Sequence, residues 1–382
     1  MKVIVIGAGV IGLACAWRLA AAGAQVELLE SRDCGQGATL GALGALWPAS
    51  PLARGPLQQL HRESLWQFAA FAAELSAAAG LPVGFRRLGR LELLNSPKAV
   101  ERAGTEAQAA CAQWPAFGVP LPVMEVLAPA ALAARWPQLA PAAHAGLLCR
   151  ATAQVGVPEL VAALRAACAK TGVVVHSHTP ATALEIRGQR LAGVYTAGGL
   201  READAVLATA GAWSALLAPA VAEVAPLRPA KGQGLALQMP PGVRLETIVK
   251  AESIYLIPWT GAAGGEILVG STTEPEAGFD ETPTAEARHT LLAGAAGIVP
   301  GLKDAVVLRH WTGLRPQNPA QRHPPIMGRH PKLANLFVCT GHFKTGLGLA
   351  PLVSRLMSAT ILSGTVAEPL LPFSPVLENS AA

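Results

Sequence analysis

A chain of 382 residues exceeds what one ordinary core organises, so two domains are expected. With 51% hydrophobic and 14% charged residues it can bury a large core, which excludes a disordered chain. The net charge of +5 is dispersed and aromatics make up only 5%, which argues against a basic, aromatic-interleaved nucleic-acid surface. Val3-Ile4-Val5-Ile6 is an unbroken apolar run, as in a central parallel strand covered on both faces. Strong helix formers follow from Val10 to Ala22, Gly23 ends that helix, and Val26 to Leu29 forms a second strand. Leu65 to Ala78 reads as a helix and Gly84 to Leu94 as a strand. Proline-rich irregular stretches and short helices follow to about Pro141. Next come a helix at Val157 to Ala169, strands at Val173 to Val175 and Ala205 to Ala210, and short β runs from Val224 to Ser271. A helix at Ala285 to Ile298, a strand at Leu336 to Thr340 and a helix at Leu349 to Leu362 complete the series.

Units of the βα type thus lie at the start, middle and end, with antiparallel-type stretches between them. The expected class is α/β, with a discontinuous Rossmann-type domain at residues 1–82, 151–225 and 311–382. Residues 83–150 and 226–310 are expected to form an α+β substrate domain with a mixed, largely antiparallel sheet. The six cysteines show neither a C-x-x-C pair nor zinc-like spacing with histidine, so no metal site is expected and a reducing compartment fits. One basic residue before a short, glycine-broken apolar run does not make a signal peptide, and a cytoplasmic protein is expected. The uncharged stretch Ala205 to Ala222 is interrupted by Gly211, Ser214 and Pro219. It suits a strand and a buried helix better than a membrane span.

Gly7-Ala8-Gly9-Val10-Ile11-Gly12 is G-x-G-x-x-G set between a strand and a helix. Its glycines permit the tight turn, the approach of a pyrophosphate and the close packing of helix on strand. The helix N-terminus faces the phosphates. Glu30, at the end of the second strand, suits ribose hydroxyls and disfavours a 2′-phosphate. The stretch from Arg32 to Pro48 is a long loop of small residues, suited to lying against a flat ring. Arg315 offers a planar, bidentate partner for a carboxylate. Tyr255, one of two tyrosines, ends a strand.

These features occur in an order that resembles the glycine oxidase and D-amino acid oxidase-like flavoproteins, the DAO fold family, and most of all the glycine oxidase of thiamine biosynthesis. The resemblance is carried by Gly37-Ala38-Thr39 through Gly44 and Pro48, by Gln154-Val155 through Pro158, and by Ala208-Thr209-Ala210-Gly211-Ala212-Trp213-Ser214. It continues through Pro229-Ala230-Lys231-Gly232-Gln233, Tyr255-Leu256-Ile257-Pro258, Gly270-Ser271-Thr272 with Glu274, and Gly278-Phe279-Asp280. Trp311-Thr312-Gly313-Leu314-Arg315-Pro316 and Gly341-His342-Phe343 bring it to the C-terminal region. The resemblance implies non-covalent FAD bound by Gly7, Gly9, Val10, Ile11, Gly12, Glu30, Ser31, Arg32, Thr39, Gly44, Ala45, Gly211, Trp213, Gly313 and Arg315. The run Phe343-Lys344-Thr345-Gly346-Leu347 would lie along the flavin. It implies oxidation of a small amino acid or amine, with Arg315 and Tyr255 on the substrate carboxylate, His342 as a polar neighbour, and O2 or another electron acceptor. A homo-oligomer is compatible with this reading.

No Ser-His-Asp set or general base accompanies Arg315, which fits hydride transfer from Cα to flavin N5. A D-amino acid dehydrogenase using a quinone is the main alternative acceptor chemistry. A flavin-binding maturation partner without turnover is the non-enzymatic one. The absence of a Gly-Asp pair disfavours a flavin monooxygenase, and the absence of a redox cysteine pair disfavours a disulfide reductase. The chain departs from the family at Trp259, Ala45 and Lys344, and in Gln321-Arg322-His323-Pro324-Pro325-Ile326-Met327-Gly328. These departures point to a substrate other than, or besides, glycine, such as sarcosine or a larger D-amino acid.

Overall fold

The structure is a computed structural model that describes residues 1–140, 144–261, 264–320 and 323–377. Pro141, Gln321, Arg322 and residues 378–382 lie outside the described residues.

The apolar run at the N-terminus forms the strand Lys2–Ile6, in which Val3, Ile4 and Val5 are fully buried. Each such side chain contributes about 1.5–3 kcal/mol by leaving water. That strand is central in a six-stranded sheet. It pairs in parallel with Gln25–Leu29 on one side and with Ala205–Ala208 on the other. Val174–His176 lies beyond Gln25–Leu29, and Leu336–Thr340 beyond Ala205–Ala208. Ile326–Arg329 closes the far edge antiparallel. The helices Val10–Ala21, Val157–Lys170 and Gly346–Ser363 cover this sheet within one apolar core. The last is long and apolar enough to cross a membrane by length and composition, yet most of it is buried in that core.

The second layer is an eight-stranded sheet in the order 307–317, 228–238, 264–270, 254–261, 248–251, 90–94, 145–149, 124–127. Only Ile248–Ala251 and Arg90–Leu94 pair in parallel, so the sheet is mixed and largely antiparallel. Its buried face packs under the helix Ala285–Ile298. The strand Val307–Gln317 hydrogen-bonds along Arg228–Gln238. The boundary expected at residue 311 therefore falls inside a strand of this sheet.

Several local expectations are corrected. The helix expected over Leu65 to Ala78 is two helices, Pro56–Trp66 and Phe68–Ala79, parted at Gln67, where ψ opens to -6°. The stretch expected to hold short helices contains the 17-residue helix Pro97–Gln113, capped by the Ser96 hydroxyl, which accepts from the Ala99 N–H. The strand expected from Gly84 is regular only over Arg90–Leu94. Ala183–Arg187, Arg190–Thr196 and Gly199–Glu202 form a small antiparallel sheet that the periodicity did not suggest, because their residues are largely polar or half-exposed.

Candidate active site

One cavity of about 680 Å³ runs between the two large sheets. At one end stands the glycine turn. Gly7 has φ +104°, and a Cβ there would sit 2.6 Å from the Thr209 carbonyl oxygen. At Gly12 a Cβ would meet the Gly7 carbonyl oxygen at 1.9 Å, so only glycine lets the helix come this close to the strand. The helix Val10–Ala21 has no acidic residue in its first turn and no capping side chain at Gly9. The Thr39 hydroxyl accepts from the Val10 N–H at 3.0 Å. The remaining free N–H groups of that turn suit phosphate oxygens. Glu30 accepts from the Ala8 N–H at 2.7 Å and the Arg32 N–H at 2.9 Å, which fixes its carboxylate at the rim.

A strap from the other sheet closes this end. Arg32 pairs with Glu281 at 2.8 Å and lies over the Trp213 ring at 4.5 Å, and Phe279 packs on the same ring at 5.7 Å. The strap is anchored by the buried Lys231, which pairs with Asp280 at 2.8 Å and holds that carboxyl well below the usual range.

The loop after Glu30 spans the middle of the cavity. Gly41 is pressed against Gly313, where a Cβ would come within 2.6 Å of the opposing Cα. The Trp311 indole N–H donates to the Gly41 carbonyl at 3.2 Å. Ala45–Leu46 pairs with Ala153–Gln154, which locks the loop to the second cofactor segment.

At the other end Arg315 enters from the strand Val307–Gln317. Its guanidinium donates to the Thr272 carbonyl at 3.1 Å, the Ser271 hydroxyl at 3.2 Å and the Lys231 carbonyl at 3.4 Å. All three acceptors are neutral, and among the described residues Arg315 has no ion pair. Burial lowers its pKa, while Tyr255 and Glu274 pull it back up. Glu274 is itself engaged by Gln233 at 3.0 Å. An uncompensated, partly desolvated guanidinium is a strong anion site.

Tyr255 lies beside it, edge-on to Trp47 at 4.9 Å. Burial raises its pKa, opposed by Ser271 and Arg315, so the phenol keeps its proton and can donate. Two glycines make this arrangement possible. A Cβ on Gly232 would stand 2.1 Å from both terminal nitrogens of Arg315, and one on Gly270 would stand 2.9 Å from the Tyr255 hydroxyl.

Every residue expected to bind cofactor or substrate lines this one cavity except Gly12, which packs behind it. His342 is buried, 3.9 Å from the Cys339 thiol, and burial pushes its pKa down to about 4. It is a neutral wall residue. Burial and then Arg315 lower the Lys344 pKa. Ala45 and Lys344 line the cavity, whereas Trp259 does not and packs by Gly156 instead. Lining residues that sequence reasoning missed include His61, Lys250, Thr273 and Gly348. Their spacing carries no motif, and only the tertiary fold gathers them.

The sheet order, the glycine turn and the anion-ready far end define an oxidoreductase that holds a dinucleotide cofactor between a Rossmann unit and a substrate sheet. The chain belongs to the FAD-dependent oxidoreductase (DAO) family, which it matches over residues 2–360. It is similar to the glycine oxidase of Pseudomonas aeruginosa, 34% identical over 381 residues that cover 98% of both chains. The crystal structure of glycine oxidase from Geobacillus kaustophilus superposes with a TM-score of 0.86 at 29% identity, covering 99% of this chain and 100% of that one. That of iminodiacetate oxidase from Chelativorans superposes at 0.85 with 28% identity, covering 98% of each. The cofactor is FAD, and the chain is an FAD-dependent oxidoreductase of the glycine oxidase type. Its glycine turn, unshielded helix N-terminus and fixed Glu30 fit that cofactor.

Proposed function

We propose that this enzyme oxidises the Cα–N bond of a small amino acid or amine, with glycine, sarcosine and D-amino acids as the candidate class. The observation that carries the reading is Arg315, a guanidinium with no carboxylate partner among the described residues, beside a protonated tyrosine in the FAD cavity. The names of the two structural relatives support an α-amino carboxylate, with or without a substituent on nitrogen.

Arg315 and Tyr255 bind the carboxylate and turn Cα toward the cofactor. Bound FAD would supply the two-electron acceptor for the hydrogen on Cα. Leu43, Leu46 and Trp47 line the cavity with apolar surface that excludes water from the reacting carbon. His342 stays uncharged and adds no competing cation. The substrate amine must arrive unprotonated, because its lone pair forms the C=N bond as the hydride departs. Water then converts the imine to a 2-oxo acid, with ammonia released from a primary amine substrate and the corresponding primary amine from an N-substituted one. Dioxygen is the final acceptor in this reading and yields hydrogen peroxide.

The test is anaerobic bleaching of the yellow holoenzyme against glycine, sarcosine, D-alanine and D-proline, followed by peroxide assay in air. Bleaching by at least one of them, lost in Arg315→Ala, is expected. A yellow protein that none of them bleaches would overturn the proposal. Bleaching without peroxide in air would move the acceptor to a quinone or another carrier.

A further inference from the structure

The sheet that carries Arg315 and Tyr255 holds a second cationic feature that this chemistry leaves unused. Alternate residues of a strand face opposite ways, and residues paired across strands share a face. The register lines up Glu92, Lys250, Tyr255 and Gly270 as one row across neighbouring strands on the cavity face. Leu91, Leu93, Val249 and Leu256 point the other way, into the core under the helix Ala285–Ile298. Lys250 lines the cavity, and one strand spacing, about 4.8 Å, separates its backbone from that of Tyr255. Its ammonium pairs with Glu92, and Arg90 reaches the same carboxylate at 3.4 Å, so two cations share one anion. Arg90 lies over the Trp47 ring at 5.3 Å, and its Nε is buried with no hydrogen-bond partner among the described residues. Glu252 also lines the cavity, but it sits on the exposed turn between the strands Ile248–Ala251 and Ile254–Gly261, where water screens its charge. An ammonium carries three N–H donors, and Glu92 is the one side-chain partner of Lys250 among the described residues. Donors remain for an oxygen in the cavity.

We propose that Lys250 receives a second acidic group of the substrate, so that the favoured class is an α-amino acid with an additional carboxylate on its side chain or its nitrogen. The inference rests on Arg315 and Tyr255 as the clamp for the α-carboxylate. Trp47, edge-on to Tyr255 at 4.9 Å and backed by Arg90, lays apolar surface between the two anion sites. A three-atom link between two carboxylates spans about one strand spacing, so a substrate clamped at Tyr255 brings its second acid to Lys250. An amide in place of that acid keeps the shape and loses the charge, and a charge-assisted hydrogen bond is about twice as strong as a neutral one. Lys250 touches no reacting atom in this arrangement and acts on substrate choice alone.

The test compares kcat/KM within two matched pairs, D-glutamate against D-glutamine and iminodiacetate against its monoamide. It uses native holoenzyme, Lys250→Met, Lys250→Arg and Glu92→Gln. Native enzyme is expected to favour the acid of at least one pair by about tenfold. A preference in the first pair puts the acid on the side chain, and one in the second puts it on nitrogen. Lys250→Met is expected to bring the acid-to-amide ratio to parity, and Lys250→Arg to keep the preference. Glu92→Gln is expected to raise it, because the competing carboxylate is gone, whereas a purely structural ion pair would leave it unmoved. Native parity in both pairs, with glycine or D-alanine still bleaching the flavin, would overturn this inference and leave the amine-oxidation reading standing. An acid preference that survives Lys250→Met would overturn it as well. Should Lys250→Met not fold, an unraised ratio in Glu92→Gln decides against it. Bleaching by none of these amines would instead overturn the reading on which the inference rests.

Discussion

Gly232→Ala probes the proposed carboxylate site without replacing any charged residue. The added methyl carbon would lie 2.1 Å from Nη1 and Nη2 of Arg315 and 2.3 Å from Cζ. Ordinary contact needs about 3.5 Å, so the guanidinium must retreat by roughly 1–1.5 Å. It can do so, because it is the far end of a flexible side chain and Gly232 lies in a regular strand. The fold should therefore survive, with cofactor content unchanged. A misplacement of about 1 Å costs up to ~100-fold in rate, and a lost charge-assisted bond costs about 1.5–3 kcal/mol. The expected result is a fall of roughly 10- to 100-fold in kcat/KM for the best amino acid substrate. An amine of similar size without a carboxylate, measured in parallel by stopped-flow flavin bleaching, should change by no more than about twofold. Equal losses for both amines, or no loss for either, would refute the assignment of Arg315 as the carboxylate partner.

At the other end of the cavity, Gly12→Ala places a carbon 1.9 Å from a backbone oxygen that cannot swing away. The variant should purify without FAD and with a lowered Tm, and a yellow variant of native FAD affinity would contradict the packing. Tyr255→Phe removes one hydroxyl and keeps the Trp47 contact, so kcat/KM should drop by roughly 3- to 10-fold, in line with about 0.5–1.5 kcal/mol for a hydrogen bond. A loss beyond 100-fold would instead assign the hydroxyl to the chemical step. The His342 pKa falls from the ordinary 6.5 to about 4 on folding. The unfolded chain therefore binds the proton more readily, and stability declines as pH drops through that window. From about pH 7 to about pH 5 this one group should remove about 2 kcal/mol. Denaturant melts of FAD-saturated native protein and His342→Asn should show that difference in slope, and parallel profiles would exclude it.

The parts legible in sequence are those governed by local backbone rules. Leu336–Thr340 and Ala285–Ile298 fall at the expected bounds because each is a single apolar or amphipathic run between clear breakers. The glycine turn was readable because strand, turn and helix are contiguous. The parting of two helices at Gln67 was not, since no glycine or proline marks it. Nor was the small sheet over 183–202, whose strands are short and only partly buried. The helix Pro97–Gln113 is marked by Ser96 and Pro97, a capping pair that the proline-rich surroundings obscured. Gly232 and Gly270 look like strand glycines, and only pairing across the sheet shows that each clears space for a functional side chain.

The two ends of the cavity are built from different materials. The cofactor end is mostly main chain, with free N–H groups, carbonyl contacts and glycines that a Cβ would jam. Side-chain drift there costs little as long as the backbone path is kept. The other end is built from side chains, Arg315, Tyr255 and Lys344, with the Arg315 guanidinium held by neutral acceptors. Of the family departures, Ala45 lies on the loop that spans the middle of the cavity, Lys344 lies at the end near Arg315, and Trp259 lies outside the cavity. In the proposed reading Arg315 is the fixed point of the cavity, because a desolvated guanidinium held only by neutral acceptors favours an anionic group whatever the rest of the substrate is.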